Sequence, residues 1–184
     1  MTESIKREFI ENAAEIGIDL NDKMLSSFDI YYKNLLEWNA VMNLTAITEE
    51  KDVFEKHFLD SLTITKIVSR ETLDKGCTLM DLGTGAGFPG LPIAIVFPNI
   101  QVVLVDSLNK RIRFLEDTVQ KLGLSNVTCI HARAEELSRN KKYREKMDFC
   151  CSRAVANLST LSEYCLPFVK KGGYFISYKT EQVQ

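Results

Sequence analysis

The chain has 184 residues, of which 45% are hydrophobic and 26% are charged, and its formal net charge is −2. These values are typical of one folded, soluble domain with room for a small helical extension. The sequence also gives no sign of a membrane-spanning helix, because no apolar run approaches the roughly 18 residues that such a helix needs. The 5 cysteines include no C-x-x-C pair, which argues against a disulfide framework or a metal site. We therefore expect a cytoplasmic protein without a metal, a membrane partner or a signal peptide.

The net charge hides a difference between the two parts of the chain. Residues 1–106 carry a net charge of −8, and residues 107–184 carry a net charge of +6. A basic half can bind nucleic acid even when the whole chain is acidic. The alternative is a set of solvated surfaces of uneven sign, and charge alone favours that alternative.

The first 70 residues show only helical patterns. Residues 3–16 and 21–42 predict amphipathic helices, and Gly17 separates them. A third helix is predicted from Thr48, as N-cap, to about Val68. In the second helix apolar side chains recur at steps of three and four, and they are Met24, Phe28, Tyr31, Leu35, Trp38 and Met42.

Residues 71–184 alternate between strand and helix patterns and predict the ligand-binding core. This alternation predicts a mainly parallel, doubly wound α/β sheet, with the N-terminal helices as an extension of one structural domain. The predicted strands are 77–81, 101–106, 127–131, 148–152 and 174–178, the last one following a turn at Gly172-Gly173. The predicted helices are 90–97, 108–122 and 158–169, with a short helical segment at 135–137.

A glycine-dense loop follows the first of these strands, in the run Met80-Asp-Leu-Gly-Thr-Gly-Ala-Gly-Phe-Pro-Gly90. A strand, a tight loop and a helix N-terminus form the layout that nucleotide-type ligands need. The dinucleotide fingerprint requires a third glycine where Phe88 stands, which disfavours an NAD-dependent oxidoreductase. Together with Asp81, the spacing is typical of the S-adenosylmethionine (AdoMet) loop of Rossmann-like methyltransferases. The alternative is a strand-to-helix turn that binds no ligand.

The ends of the first two strands supply candidate cofactor contacts. We expect Gly83, Gly85 and Gly87 to line the amino-acid part of AdoMet, and Asp81 to engage its ammonium directly or through water. Asp106, which ends the second strand, can accept hydrogen bonds from both ribose hydroxyls, or cap the next helix, or do both.

The ends of the third and fourth strands complete this candidate site. Ala134 and Glu135 follow the third strand, where adenine is usually contacted, but an ordinary helix N-terminus explains them equally well. Arg153 follows the fourth strand and can contact the cofactor, the acceptor base or a phosphate. Cys150 and Cys151 are interpreted as packing residues. His57 is interpreted as a helix histidine with satisfied hydrogen bonds, packed near Asp60, rather than a catalytic residue.

Several segments together resemble one known family. They are Trp38-Asn39, Asn43-Leu44-Thr45, His57-Phe-Leu-Asp-Ser-Leu62, the Asp81–Gly90 loop, Asp106-Ser-Leu-Asn-Lys-Arg111 and Ser152-Arg-Ala154. From about residue 30 onwards, the sequence resembles the ribosomal RNA small-subunit methyltransferase G family, also called glucose-inhibited division protein B. The glycine loop alone indicates only an AdoMet-dependent methyltransferase, and the other segments narrow the resemblance to this family.

The resemblance implies a class I Rossmann-like methyltransferase that transfers a methyl group from AdoMet to N7 of a guanosine in 16S rRNA. The partner would then be 16S rRNA or the small ribosomal subunit, and we expect a monomer. Guanine N7 already carries an in-plane lone pair, so alignment is needed rather than a base. The resemblance places cofactor contacts at Gly83, Phe88, Asp106, Ala134, Glu135 and Arg153.

Candidate RNA contacts come from two basic segments, although both can be explained as solvated surface. An AdoMet methyltransferase acting on a small molecule or protein, and a non-catalytic RNA-binding module, are the alternatives to the rRNA enzyme. Methyltransferases of this fold usually have two more strands after the fifth, so we expect a truncated product or a sheet that ends early. The basic candidates are Lys110, Arg111, Arg113, Arg139, Lys141 and Lys142, with Arg144 and Lys146 beside them.

Overall fold

The computed structural model describes residues 1–153 and 157–178. Its centre is a five-stranded parallel sheet in the order β3-β2-β1-β4-β5. The chain moves outward from β1 in one direction through β2 and β3, and then returns to its other side with β4 and β5. The order of the strands therefore reverses at β1, which is where ligands bind in open sheets of this kind. The strands are β1 (Thr78–Leu82), β2 (Gln101–Asp106), β3 (Val127–His131), β4 (Met147–Ser152) and β5 (Val169–Ser177).

Helices cover the sheet and form the N-terminal region. The largest cluster of buried side chains extends from Phe9, on the first helix, to Ile176 on β5, so the N-terminal helices share a core with the sheet. Within the described residues, no helix is both long and apolar enough to cross a membrane. The helices are α1 (Glu3–Glu15), α2 (Asp22–Met42), α3 (Glu50–Val53), α4 (Asp60–Leu62), α5 (Arg70–Lys75), α6 (Gly90–Val96), α7 (Asn109–Leu122), α8 (Ala134–Leu137) and α9 (Leu158–Cys165).

The predicted α/β class and parallel sheet are confirmed, and the first four strands agree with their predicted ranges to within one residue. The third predicted helix is wrong in detail. It begins at Glu50, with Glu49 rather than Thr48 at the N-cap, and it turns into a π-helix at Phe54–Leu59. After α4 it ends in a 3₁₀ turn at Thr63–Lys66.

Two other predicted boundaries also differ from the structure. The helix predicted to reach residue 169 ends at Cys165, because the 3₁₀ turn Leu166–Phe168, which contains a proline, follows. Gly172-Gly173 is not a turn before β5 but an irregularity within it, opposite Met147–Phe149. Gly172 has a φ of 82°, which a glycine adopts without strain. The short helix α5, capped by the Ser69 side chain, was not predicted.

Candidate functional site

A cavity of about 400 Å³ opens at the carboxyl ends of the strands. Four of the predicted cofactor residues line it, namely Gly83, Asp106, Ala134 and Glu135. Its wall also includes Ser107, Arg133, Ser152 and Tyr164, none of which was among the predicted cofactor contacts. The cavity therefore lies at the edge where parallel sheets bind ligands.

The glycine loop is fixed to the end of β2. The amides of Gly83 and Thr84 both donate to the Val105 carbonyl, at 2.9 and 3.1 Å. The Gly85 amide donates to Oδ2 of Asp106 at 3.0 Å. Gly83 and Gly85 have φ angles of 71° and 61°, a region that favours glycine. The turn that exposes Gly83 to the cavity therefore depends on this glycine spacing.

The Asp106 side chain stabilises the turn before α7 rather than capping the helix, and it remains suited to a ligand. Its Oδ1 accepts from the Leu108 amide at 2.9 Å, just before α7, and its Oδ2 accepts from Gly85 and from Nη1 of Arg111. A carboxylate offers about four acceptor positions. Three are used here, so binding two ribose hydroxyls requires one present donor to leave. The Arg111 side chain is the most suitable one, because it is 35% exposed.

Asp81 lies beneath the loop and is fully buried. Its Oδ2 accepts from the Thr84 hydroxyl at 2.7 Å and from the Gly90 amide at 2.8 Å. Its Oδ1 is buried and has no partner among the described residues. Burial raises the pKa of this carboxyl to about 6. An orphaned carboxylate oxygen suits the ammonium group of AdoMet. Since Asp81 is not on the cavity wall, the water-mediated contact is the better fit.

Gly87 and Phe88 face the N-terminal helices rather than the cavity. A Cβ at Gly87 would lie 2.6 Å from the Tyr31 hydroxyl, and Gly87 has a φ of 95°. The Tyr31 hydroxyl donates to the Ala86 carbonyl of the same loop. The Phe88 ring stacks with those of Tyr31 and His57, whose centroids are 5.5 and 4.5 Å away. Helix α2 and the π-helix thus support the loop from behind.

Arg153 joins the end of β4 to the N-terminal helices. Its Nη1 donates to Oδ2 of Asp60 at 3.2 Å, and its Nη2 donates to Nδ1 of His57 at 3.1 Å. Its guanidinium lies over the Phe88 ring, 4.9 Å from the centroid. The side chain is only 16% exposed. Arg153 is therefore a cation held in place at the ligand edge, while Ala154 beside it lies outside the described residues.

Both ring nitrogens of His57 have partners, as expected of a helix histidine whose hydrogen bonds are satisfied. Its Nε2 lies 2.9 Å from the Thr45 hydroxyl. Burial and the neighbouring charge of Arg153 lower the pKa of His57 to about 4. Sequence reasoning missed this connection, although the segments containing Thr45, His57 and Arg153 had all been noted. The only sequence signal was their common occurrence, which shows no contact between them.

The basic candidates do not form a single surface. Lys110 and Arg113 are exposed on α7, whereas Arg111 is paired with Asp106. Arg139 borders a second cavity, of about 370 Å³, that shares Ala134, Glu135 and Tyr164 with the first. Lys146 lies just before β4, at the amino-terminal ends of the strands, opposite the cavity. Its backbone carbonyl there accepts from the Thr78 hydroxyl at the start of β1.

The remaining basic candidates lie between these places. Arg144 borders the second cavity, and its Nη1 donates to the Ser138 carbonyl at 3.3 Å. Lys141 and Lys142 are exposed in the turn formed by residues 141–145, and Lys142 lies over the ring of Tyr143. The basic run thus extends from the ligand edge to the far edge of the sheet.

Cysteines and metal-binding groups do not define a further site. Cys150 and Cys151 are fully buried, which confirms their interpretation as packing residues. Burial raises the pKa of the Cys151 thiol well above its usual value. Within residues 1–153 and 157–178, no group of three His, Cys, Asp or Glu side chains is arranged to hold a metal ion.

Comparison with solved structures supports the fold. A SAM-dependent methyltransferase from Aquifex aeolicus superposes with a TM-score of 0.54 and 19% identity, covering 73% of each chain. A SAM-dependent methyltransferase from Thiobacillus denitrificans, in complex with S-adenosyl-L-homocysteine, gives a TM-score of 0.51 and 18% identity. That match covers 64% of this chain and 46% of the other. At these identities the likeness shows the class I methyltransferase fold.

Sequence comparison identifies the family. Residues 24–184 match the family described as rRNA small subunit methyltransferase G. The ribosomal RNA small subunit methyltransferase G of Lachnoclostridium phytofermentans is 53% identical over 175 residues, which cover 95% of this chain and 71% of that protein. The protein of the same name from Clostridium novyi is 50% identical over 180 residues, 97% of this chain and 72% of its own. The chain therefore belongs to the rRNA small subunit methyltransferase G family.

Proposed function

We propose that this protein transfers the methyl group of AdoMet to N7 of a guanine in small-subunit (16S) rRNA. The main support for this proposal is the cavity lined by Gly83, Asp106 and Glu135. It occurs in a chain that is 53% identical to a small-subunit rRNA methyltransferase. AdoMet supplies an electrophilic methyl group on a sulfonium, and the protein's own residues bind and orient both reactants.

The cofactor-binding residues divide into two groups. Asp106 and Glu135 are carboxylates on the cavity wall, and Asp106 is suited to ribose hydroxyls because its position is fixed by Gly85 and Leu108. Gly83 allows close approach of the ligand to the backbone. Asp81 and Arg153 lie at the other side of the loop, where a buried acceptor and a held cation can orient the amino-acid portion.

The chemistry of the cavity supports N7 as the acceptor. No His or Cys is among the described residues that line it, so the carboxylates and the Tyr164 hydroxyl are the groups in the described lining that can act as a base. Guanine N7 needs no deprotonation, and alignment for in-line attack suffices. The product is a cationic base, and the carboxylates can stabilise the charge that develops on the ring.

RNA binding is proposed for the exposed basic side chains near the ligand edge. Lys110 and Arg113 lie on α7, and Arg139 and Arg144 border the second cavity. Lys146 is excluded from this set because it lies at the opposite edge. N7 is accessible in the major groove and in unpaired loops, so the base need not leave a helix.

The decisive experiment combines methyl transfer with mapping of the product. The protein is incubated with AdoMet carrying a labelled methyl group and with small-subunit RNA from cells lacking this gene. We expect one labelled 7-methylguanosine, located by mass spectrometry. Label on another atom of RNA would contradict the N7 assignment, and label only in a protein or metabolite extract would support the other methyltransferase function. Binding of RNA without binding of AdoMet would support the non-catalytic module.

A further inference from the structure

Arg153 is held by groups that come from distant parts of the chain. Besides Asp60 and His57, its Nη1 donates to the Lys56 carbonyl at 3.3 Å. All three partners belong to the π-helix or to the residue that follows it. π-helical turns are rare and frequently occur at functional sites. The orientation of this guanidinium is therefore decided by the N-terminal region.

The held guanidinium retains donors for a ligand. A guanidinium has five N–H groups, and the contacts to Lys56, Asp60 and His57 use three of them. The remaining two, on Nε and Nη2, have no partner among the residues that the structure describes. Ser152, the preceding residue, lines the cofactor cavity. Arg153 is not itself among the residues that line the cavity, but its backbone follows directly after Ser152 at the carboxyl end of β4.

The contact with Arg153 determines the tautomer of His57. Arginine can only donate, so Nδ1 of His57 must present its lone pair. The ring is neutral, and its proton is therefore on Nε2, from which it is donated to the Thr45 hydroxyl oxygen. That oxygen also accepts from the Ile47 amide at 3.1 Å. The hydrogen-bond partners on both sides of the ring agree on one tautomer.

The loop that carries Thr45 is itself fixed. Oδ1 of Asn39 accepts from the amides of Leu44 and Thr45, at 2.6 and 2.9 Å. The plane of the His57 ring is fixed separately, because it stacks on Phe88 at an interplanar angle of 23°. A continuous set of contacts therefore extends from the end of α2 to the end of β4.

We propose that His57 is a positioning residue for methyl transfer, whose Nδ1 lone pair orients Arg153 so that its remaining donors face the bound reactants. His57 acts through Arg153 and touches no reacting atom. The inference rests on the proposed function for its kinetic consequences, but its structural part can be tested without RNA.

Three substitutions separate the acceptor role of His57 from its packing. His57→Asn places an amide oxygen near the position of Nδ1 and keeps an acceptor for Arg153. His57→Leu keeps an apolar side chain of similar size and removes the acceptor. Thr45→Val keeps the shape of the threonine but leaves Nε2–H without its partner. Thr65→Val is the matched control, because it removes N-terminal hydrogen bonds, to the Ile16 and Leu62 carbonyls, that do not involve Thr45, His57 or Arg153.

We expect His57→Leu to lower kcat/KM for methylation of small-subunit RNA by about tenfold or more, the loss typical of an orienting contact to a charged group. His57→Asn should remain within about threefold of the wild type, Thr45→Val should lie between them, and the control should be unchanged. Equal losses in His57→Asn and His57→Leu would overturn the proposal, as would full activity of His57→Leu.

Nitrogen-15 NMR of histidine-labelled protein supplies a readout that does not depend on folding of the leucine variant. The chain has 2 histidines, and the His57 signals are identified by their loss in His57→Asn. At pH 7 we expect Nδ1 to have the shift of an unprotonated nitrogen and Nε2 that of a protonated one. The reverse tautomer would refute the proposal. Since this result is independent of methyl transfer, failure of the wild type to methylate RNA would refute only the proposed function.

Discussion

The two sides of the glycine loop are built in different ways. The cavity side consists of backbone turns and carboxylates that directly follow strands, such as Gly83 and Asp106. The helical side consists of side chains from distant segments, with Tyr31, His57 and Arg153 packed around Phe88. The cavity side is suited to bind the cofactor, and the helical side is suited to hold the loop and one cation in position. Substitutions on the cavity side should therefore affect ligand affinity, and those on the helical side should affect stability and orientation.

The largest expected effect is a loss of AdoMet affinity when Asp106, on the cavity side, is replaced. We expect Asp106→Ala to weaken AdoMet binding by about 100-fold, because it removes charge-assisted hydrogen bonds and frees the Gly85 amide, together worth about 2–3 kcal/mol. Calorimetric titration measures this. Asp117→Ala is the control, since it removes an equal charge from α7, where Asp117 accepts from the Trp38 indole. Unchanged affinity of Asp106→Ala would show that the cavity is not the cofactor site.

The second-largest expected effect is a difference in stability between substitutions at two glycines of the same loop. Gly85 and Gly87 both have positive φ, but a Cβ at Gly85 meets nothing within 4 Å whereas one at Gly87 collides with Tyr31 and Leu91. We expect Gly85→Ala to cost about 1 kcal/mol of the free energy of unfolding and Gly87→Ala about 2 kcal/mol. Denaturant unfolding measures both. Equal losses would contradict the close packing of α2 behind the loop.

The third effect is the pH dependence that His57 contributes to stability. Its pKa is about 4 in the folded protein and about 6.5 in the unfolded chain. The unfolded chain therefore binds more protons between these values, and stability falls as the pH falls from 6.5 to 4. After allowing for solvent exposure, we expect the stability of the wild type relative to His57→Asn to fall by about 1–2 kcal/mol between pH 7 and 4.5.

Asp81 has the opposite pH dependence, because its pKa is raised from 3.8 to about 6. Between these pH values the folded state binds a proton at Asp81 that the unfolded state does not. Stability from this group therefore rises as the pH falls through 6. Because Asp81 is present in both proteins, its contribution cancels in the comparison. Parallel stability curves for wild type and His57→Asn, measured by denaturant unfolding, would mean that His57 titrates normally.

The smallest expected effect concerns RNA. Lys110→Ala with Arg113→Ala should weaken RNA binding about three- to tenfold at moderate salt and lower the salt dependence, as loss of phosphate contacts does. Lys146→Ala, at the opposite edge of the sheet, is the control. Filter binding at several salt concentrations measures both. A larger loss for Lys146→Ala would place the RNA on the other edge.

The sequence by itself determined the sheet class, the strand positions and the cavity side of the site. These features depend on local signals: apolar runs, glycine spacing, and acids that end strands. Asp106 could be predicted to line the cavity because it ends a strand, and the carboxyl ends of parallel strands meet at the edge of the sheet where ligands bind. The π-helix at Phe54–Leu59 and the course of β5 through Gly172-Gly173 could not be predicted, since tertiary packing selects them.

The contacts on the helical side of the loop were decided only by the tertiary structure. Thr45, His57 and Arg153 are 12 and 96 residues apart in sequence, and no periodicity connects them. Their contact follows from the packing of the N-terminal helices on the loop between β1 and α6. The same packing turns Gly87 and Phe88 away from the cavity. Local chemistry thus determined what the loop can bind, and long-range packing determined which side of it faces the ligand.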